Sequence, residues 1–460
     1  MLARDLGLVA ASIAVVLGAA RARTPEAAGA RVLVGPEILV SRDGDFPHVE
    51  LMIAANPKQP GNLVGTAITG EGRTEEETTS TYASFDGGVS WKAVALPETR
   101  AGGGDPQVIF TEAGTALRAT LVGLAEKPRP RSALHVYRSE DGGASWSRPV
   151  DLGETYDHDQ VAVDRTGGSH RNRVYIGVLW GYPVYRVGVF RSDDDGRTWA
   201  GPVESANGGG ELGVNVCPLL VLSDGALVVP YVDFEFNPER QWGEKTGHLW
   251  SVISTDGGSH FSGPRPIGTA HCPEVPPSNF QGFFPTFAAD THGPRFRDRI
   301  YAAWNTVHEG RPQILFAWSG DRGKTWSGAR PLPGATGGAQ FQPALAVNDR
   351  GVLASTWYET APDAAGEGCS RGCFHEYFTA SVDGGVTFLP PVRVSSQLSR
   401  RRWRLSTEDH AGNGGDYMGL AADATGAFHP FWADSRTGTF QIYTAVVKVE
   451  EPAARGKSQR

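Results

Sequence analysis

Seven short apolar segments recur along this 460-residue chain, and six of them begin with side chains that can move protons, hold charge or hydrogen-bond. The segments start near Pro47, Pro106, Gln160, Pro218, Pro285, Pro343 and Tyr417. At or beside those starts stand His48, Glu50, Asp105, Gln107, Asp157, His158, Asp159, Asn215, Gln342, Asp416 and Tyr417. Carboxyl groups set close together can be tuned apart, one keeping its proton as an acid while another stays ionised. Tyr417 can act as a nucleophile or a ligand contact. Asp416 beside it can be an acid/base, a cation ligand or a turn former. Further along each segment group come Arg129, Arg131, Tyr185, Arg186, Arg240, Trp242, His308, Arg311, Arg371 and Arg436. Arginine suits a carboxylate because its planar fork can donate two hydrogen bonds at once. Within Trp432-Ala-Asp434-Ser-Arg436, the arginine is either such a clamp or the ion-pair partner of Asp434.

Something must bring these scattered positions together, and an internal repeat does so. Six segments share the pattern S-x-D-x-G-x-[ST/H]-[WF]. They run Ser84–Trp91, Ser139–Trp146, Ser192–Trp199, Ser254–Phe261, Ser319–Trp326 and Ser381–Phe388. The pattern describes a self-capped turn. The Asp accepts backbone N–H bonds, the Gly takes a positive φ, and the closing aromatic ring packs between sheets. These residues are structural and carry no catalytic role. Each copy follows the same strand order, most plainly in Phe284–Ala289, Arg299–Trp304, Gln313–Trp318 and Arg330–Leu332, with a loop Asn305–Arg311 after the second strand. Four antiparallel strands repeated radially make a β-propeller blade.

The expected fold is therefore all-β: a β-propeller of four-stranded antiparallel blades, seven rather than six. The last unit, Tyr417–Val447, has three strands, and Val32–Val40 from the N-terminus is expected to supply the fourth and close the ring. One domain over residues 32–448 then replaces the two or three that this length would ordinarily suggest. First strands line the central channel of such a ring. Their starts and the loops between second and third strands face one side, opposite the aspartate turns. A connector, Ser395–Gly415, brings Arg400-Arg-Arg-Trp403-Arg404 and Glu408-Asp-His410 to the same side. Aromatic side chains there, such as Trp242 and Trp403, can stack on a sugar ring. The acidic loop Glu71–Thr79 reads as a solvated rim that can hold a cation.

Composition agrees with short strands and tight turns. There are 59 Gly and 31 Pro, above the about 7% and 5% of ordinary chains. Lys and Arg number 43 against 51 Asp and Glu, a net charge of −8, so nucleic acid is not an expected partner. Residues 1–22 read as a signal peptide: Arg4, an apolar run from Leu6 to Ala20, then Ala20-Arg-Ala22. The alternative is an uncleaved anchor, and either would be the only link to a membrane. The expected location is secreted or periplasmic, which permits disulfides. Cys369 and Cys373 are expected to form a small stapled loop, leaving Cys217 to pair with Cys272. Residues 449–460 read as a disordered tail. No metal site and no cofactor are expected.

The aspartate turns, each between a third and a fourth strand, resemble those of the Asp-box (BNR-repeat) propellers, of which sialidases are the best-known family. The resemblance covers about residues 32–448. It implies an exported glycoside hydrolase acting on a glycan or glycoprotein at the channel mouth. It also implies a tyrosine nucleophile paired with a glutamate, an aspartate acid/base, and three arginines on the substrate carboxylate. Asp416-Tyr417 fits the placement of the family's tyrosine. The chain departs from the pattern at Asp45-Phe-Pro-His-Val-Glu50, which lacks the first arginine. Asn215-Val-Cys-Pro218 lacks the glutamate, and Val228-Val-Pro-Tyr231 lacks a later arginine. On this reading Tyr417, Asp416 and Asp159 are the catalytic candidates. His48, Glu50, Asp105, His158, Arg311 and Arg436 are the substrate-binding candidates. Two alternatives stand beside it: a non-catalytic glycan- or protein-binding propeller, and polar channel residues that only satisfy one another and trapped water.

Overall fold

The computed structural model describes residues 29–44, 46–70, 78–97, 103–124, 131–154, 156–181, 185–208, 212–236, 243–271, 284–361, 369, 373–400 and 414–451. Every regular element among them is a β-strand, and the strands form seven antiparallel sheets arranged as a β-propeller. Blade 1 runs outward from His48–Ala55 through Leu63–Thr69 and Thr78–Ser84 to Lys92–Ala93. The inner strands of the next five blades are Gly104–Phe110, Tyr156–Val163, Leu212–Val216 continued by Leu220–Val221, Thr286–Asp290, and Gln340–Val347. Blade 7 contains Gly419–Ala422, Phe428–Asp434 and Gln441–Glu450. Its outer strand is Arg31–Leu39, in register from Arg31 opposite Glu450 to Leu39 opposite Tyr443. The N-terminal strand therefore closes the ring as the sequence suggests, and Gln441–Glu450 is paired on both sides.

The repeat segments form the expected turns. In the first, Ser84 Oγ donates to Asp86 Oδ1 at 2.9 Å, the Gly88 amide donates to Ser84 Oγ at 3.0 Å, and the Ser90 amide donates to Asp86 Oδ1 at 2.9 Å. Gly88 needs its left-handed φ of 86° to bring that amide onto the serine. The same bonds recur around Asp141, Asp194, Asp321 and Asp383. In the fourth copy His260 replaces the hydroxyl residue, and its Nδ1 lies 2.7 Å from Asp256 Oδ2. Hydrophobic clusters fill the spaces between blades, with Trp304, Trp357 and Trp432 fully buried on the second strands of blades 5, 6 and 7. Gly268 on the outer strand of blade 4 makes room for Trp304, since a Cβ there would lie 2.9 Å from the indole.

Four inner strands depart from regular pleating at the same place. Glu50, Asp105, His158 and Gln342 all have left-handed backbone, with φ of 54°, 44°, 47° and 49°. The strand register shifts at each of them. A β-bulge re-aims a side chain, and a non-glycine residue in this region costs about 1–3 kcal/mol. The polar ends of the inner strands are thus held in an orientation that a regular strand would not give.

Blade 5 differs from expectation in one detail. Its second strand runs to His308 and its third begins at Arg311, with these two residues opposite one another. The expected loop Asn305–Arg311 is therefore a two-residue hairpin, Glu309-Gly310, with φ of 50° and 75°. Two left-handed residues match the twist of the flanking strands.

Candidate functional site at the channel mouth

One narrow cavity of about 120 Å³ is lined by all seven blades. Its walls include Met52, Gln107, Gln160, Pro218, Pro343 and Tyr417. Gln107 is buried and its Nε2 has no hydrogen-bond partner. At the inner-strand starts above this cavity, blades 1, 2, 3 and 7 bring their polar side chains together.

Asp105 is the centre of the group. Its carboxyl accepts from Tyr417 Oη at 3.3 Å and from the His158 amide at 3.2 Å. His158 Nδ1 lies 3.9 Å away, and the Glu50 and Asp157 carboxyls also hydrogen-bond to it. The same His158 amide lies 3.0 Å from Asp157 Oδ1, so one N–H is shared between two carboxyls. The His158 ring packs edge-on against Tyr417, with centroids 6.0 Å apart. Three of these neighbours, Glu50, Asp105 and His158, sit at the bulged positions, so the backbone distortion is what lets them converge.

The electrostatics follow from one anion among several proton carriers. Burial alone would raise the Asp105 pKa, but hydrogen bonds and charge from His158, with a bond from Glu50, hold it below the usual carboxylate range. Asp157 is pushed up to about 7 by burial, and then by the charge of Asp105. His158 is raised: burial opposes its charge, but Asp105, Asp157 and Asp416 outweigh that. Burial, and then Asp105, Glu50, Asp159 and Asp416, keep the Tyr417 hydroxyl protonated. The tyrosine thus needs a base to lose its proton, and Asp105 is in place to take it.

The other candidates lie elsewhere or are engaged. Asp159 has no exposed surface, and neither carboxyl oxygen has a hydrogen-bond partner. Burial first, then Asp105, raises its pKa well above the ordinary value, while the buried Arg118 pulls the other way. Arg118, also fully buried, lies over the Tyr137 ring at 5.9 Å, and burial lowers its pKa to about 10. His48 is enclosed, with Nε2 at 2.8 Å from Tyr82 Oη and 3.5 Å from Asp43 Oδ1. Arg436 realises the ion-pair alternative. It donates to Glu37 at 2.8 and 2.9 Å and to Asp434 at 2.6 Å, and it covers the Tyr443 ring. Arg311 is exposed and borders a separate cavity of about 200 Å³ with Gln313, Gly334 and Gln340. Arg186 pairs with Glu204 at 3.5 Å and covers Trp180. Asp416 lines the channel cavity and acts electrostatically on His158 and Tyr417. Arg129, Arg240, Trp242, Arg371, Trp403, Glu408–His410, the acidic segment 71–77 and residues 1–28 lie outside the described residues, as does the side chain of Arg131.

Asp157 and Asp159 are set apart by the local backbone. Strict alternation would put Asp157 and Asp159 on one face, but the bulge at His158 separates them. Asp157 keeps some exposure, and Asp159 has none. Among the described residues, no three His, Cys, Asp or Glu side chains are arranged to hold a metal ion.

The cysteines correct one expectation. Cys369 and Cys373 are disulfide-bonded, but Cys217 is a free, buried thiol. It follows the inner strand of blade 4, and Cys272 lies outside the described residues.

No family model matches the chain, and no curated protein matches it. Solved structures do. A polysaccharide lyase, a PL25 ulvan lyase, is 12% identical with a TM-score of 0.49, over 89% of this chain and 98% of that one. A protein of unknown function from Dyadobacter fermentans is 14% identical with a TM-score of 0.48, over 91% and 99%. A sialidase from Streptococcus pneumoniae is 13% identical with a TM-score of 0.43, over 90% and 70%.

Proposed function

We propose that this chain is an exported glycan-active propeller, a sialidase-like glycoside hydrolase that works at the channel mouth. The observation that carries the reading is the Tyr417–Asp105 pair, 3.3 Å apart at the point where the seven inner strands meet. A tyrosine nucleophile is one of the known exceptions to hydrolysis by paired carboxylates. Tyr417 attacks the anomeric carbon, Asp105 takes its proton, and the nearby acids, including Asp416, manage the leaving group and water. Export is supported by the apolar N-terminal run and by the Cys369–Cys373 bond.

The described site differs from one built for an acidic sugar. Arg436, the arginine best placed in sequence to clamp a carboxylate, is held by Glu37 and Asp434. Carboxyls at the mouth would repel a sugar carboxylate. An uncharged glycan fits these residues better than a sialylated one.

The test is release of reducing sugar from a panel of neutral and sialylated glycans, with Tyr417→Phe as the control. Turnover abolished by the substitution supports the reading, and turnover unaffected by it refutes it. A second reading, a non-catalytic glycan-binding propeller, is favoured by one observation. The channel cavity of about 120 Å³ is well below the roughly 300 Å³ at which small-molecule pockets begin. Glycan binding by the parent with no sugar released would establish it.

A further inference from the structure

Five carboxyl residues crowd the mouth, and the hydrolase reading assigns a definite step only to Asp105. A glycosidic oxygen leaves readily only when it receives a proton, so one of the others has a task. Asp159 is sealed from solvent. Asp416 faces His158, whose positive charge it helps to hold. Glu50 hydrogen-bonds to Asp105 from blade 1. Asp157, partly exposed like Asp105 and Asp416, is the carboxyl tied to Asp105 through the single amide of His158.

We propose that Asp157 is the acid that protonates the leaving oxygen of a bound, uncharged glycoside, and that it shares its proton with Asp105 across the His158 bulge. The proposal rests on the hydrolase reading above and names the residue and substrate class for it. In the first half-reaction the Asp157 proton passes to the glycosidic oxygen. The C–O bond breaks, its electron pair stays on that oxygen, and an alcohol departs. Tyr417 Oη bonds to the anomeric carbon and gives its proton to Asp105. In the second half, water attacks the anomeric carbon and yields a proton to the Asp157 carboxylate. Tyr417 leaves with its bonding pair and recovers its proton from Asp105. The sum is glycoside plus water giving sugar plus alcohol, with both carboxyls restored.

Three features support this assignment. The groups that face Asp157 are Asp105, Asp159, His158 and, from the second-to-third-strand connection of blade 3, Tyr185. Only His158 among them favours the ionised form, and burial with Asp105 pushes the Asp157 pKa up to about 7, so part of the population keeps its proton at neutral pH. The bulge is a cost that the fold sustains at this point. Below the pair, Gln107 Nε2 is a buried donor with no partner at the cavity wall, suited to donate to a hydroxyl or ring oxygen of a ligand.

The experiment compares parent, Asp157→Asn and Asp157→Glu on methyl and 4-nitrophenyl glycosides of neutral hexoses and pentoses, with infrared spectra across pH. For the methyl glycosides, which need an acid, Asp157→Asn is expected to lose about 100- to 10,000-fold. The 4-nitrophenyl glycosides, whose leaving group needs no proton, stay within about tenfold of the parent. The rate limb near pH 7 and a protonated-carboxyl band that titrates there both vanish in Asp157→Asn, and Asp157→Glu restores part of each. Equal loss on both substrate sets, or a parent spectrum with no band titrating near neutrality, overturns the assignment while leaving a hydrolase. A parent that cleaves no glycoside overturns the hydrolase reading and the donor role with it, and the infrared band then separates the two failures by showing whether Asp157 holds the proton.

Discussion

Asp321 and Asp157 are the same residue type in opposite circumstances. Asp321 sits in a surface turn, where Thr325, through its hydroxyl and its amide, together with Ser319 brings its pKa down to about 2. Asp157 sits at the channel mouth, where burial and a neighbouring carboxylate push it up to about 7. The turn surrounds its aspartate with donors, so the charge is welcome and the turn is rigid. The mouth surrounds its aspartate with another acid, so the charge is unwelcome and a proton is kept. The turns tie blades 1 to 6 together, and on the proposed function the channel acids carry chemistry at some cost to stability.

The largest effect expected from separating these regions is on turnover. Tyr417→Phe or Asp105→Asn should lower the rate of glycan cleavage by about 1,000-fold or more while leaving the folded fraction unchanged, measured by initial rates and thermal unfolding. The converse change is in a turn. Asp383→Ala removes the acceptor of bonds from Ser381 Oγ at 2.8 Å, the Thr387 amide at 2.8 Å and Thr387 Oγ1 at 2.6 Å. It should cost about 2–3 kcal/mol in denaturant titration, with the rate per folded molecule unchanged. A turn variant that loses activity without losing stability would break the division.

Acidity offers a smaller contrast of opposite sign. Asp321 has a folded pKa of about 2 against 3.8 ordinarily, so its stabilisation is complete above pH 4 and lost as pH falls toward 2. Asp86, Asp141 and Asp194 shift in the same direction, because hydrogen bonds outweigh burial at each. Stability measured by urea midpoints should therefore fall through this window, and Asp321→Asn should flatten part of the fall.

The division also explains what could be read from the sequence. The turns are legible because all their bonds lie within eight consecutive residues, and six copies repeat them. From those copies follow the blades, their number and the closure by the N-terminal strand. The positions of Asp105, His158 and Tyr417 follow too, since strand starts must face the channel. Their pairing does not, because Tyr417 meets Asp105 across 312 residues of sequence. Nor does the choice between Asp157 and Asp159, which depends on a bulge at a histidine that carries no glycine signature. The engagement of Arg436 is legible in part, since Asp434 lies two residues away, but its pairing with Glu37 and that of His48 with Asp43 join distant or irregular segments.

The smallest effect is the most direct measure of what the mouth costs. Asp157 binds its proton more tightly in the folded chain, with a pKa of about 7 against 3.8 ordinarily. A group raised in this way contributes most below its ordinary pKa, and that contribution is lost as pH rises toward its folded pKa. Asparagine has no proton to lose, so Asp157→Asn should leave the protein near parental stability at pH 4. At pH 8 it should be more stable than the parent by on the order of 1 kcal/mol, a figure reduced because the residue as a whole is only partly buried. Urea midpoints at the two pH values measure the difference. A substitution that removes activity and adds stability only at the higher pH would mark Asp157 as a residue held there for its proton. Equal stability at both values would mean that the mouth tolerates the charge as readily as the turns do.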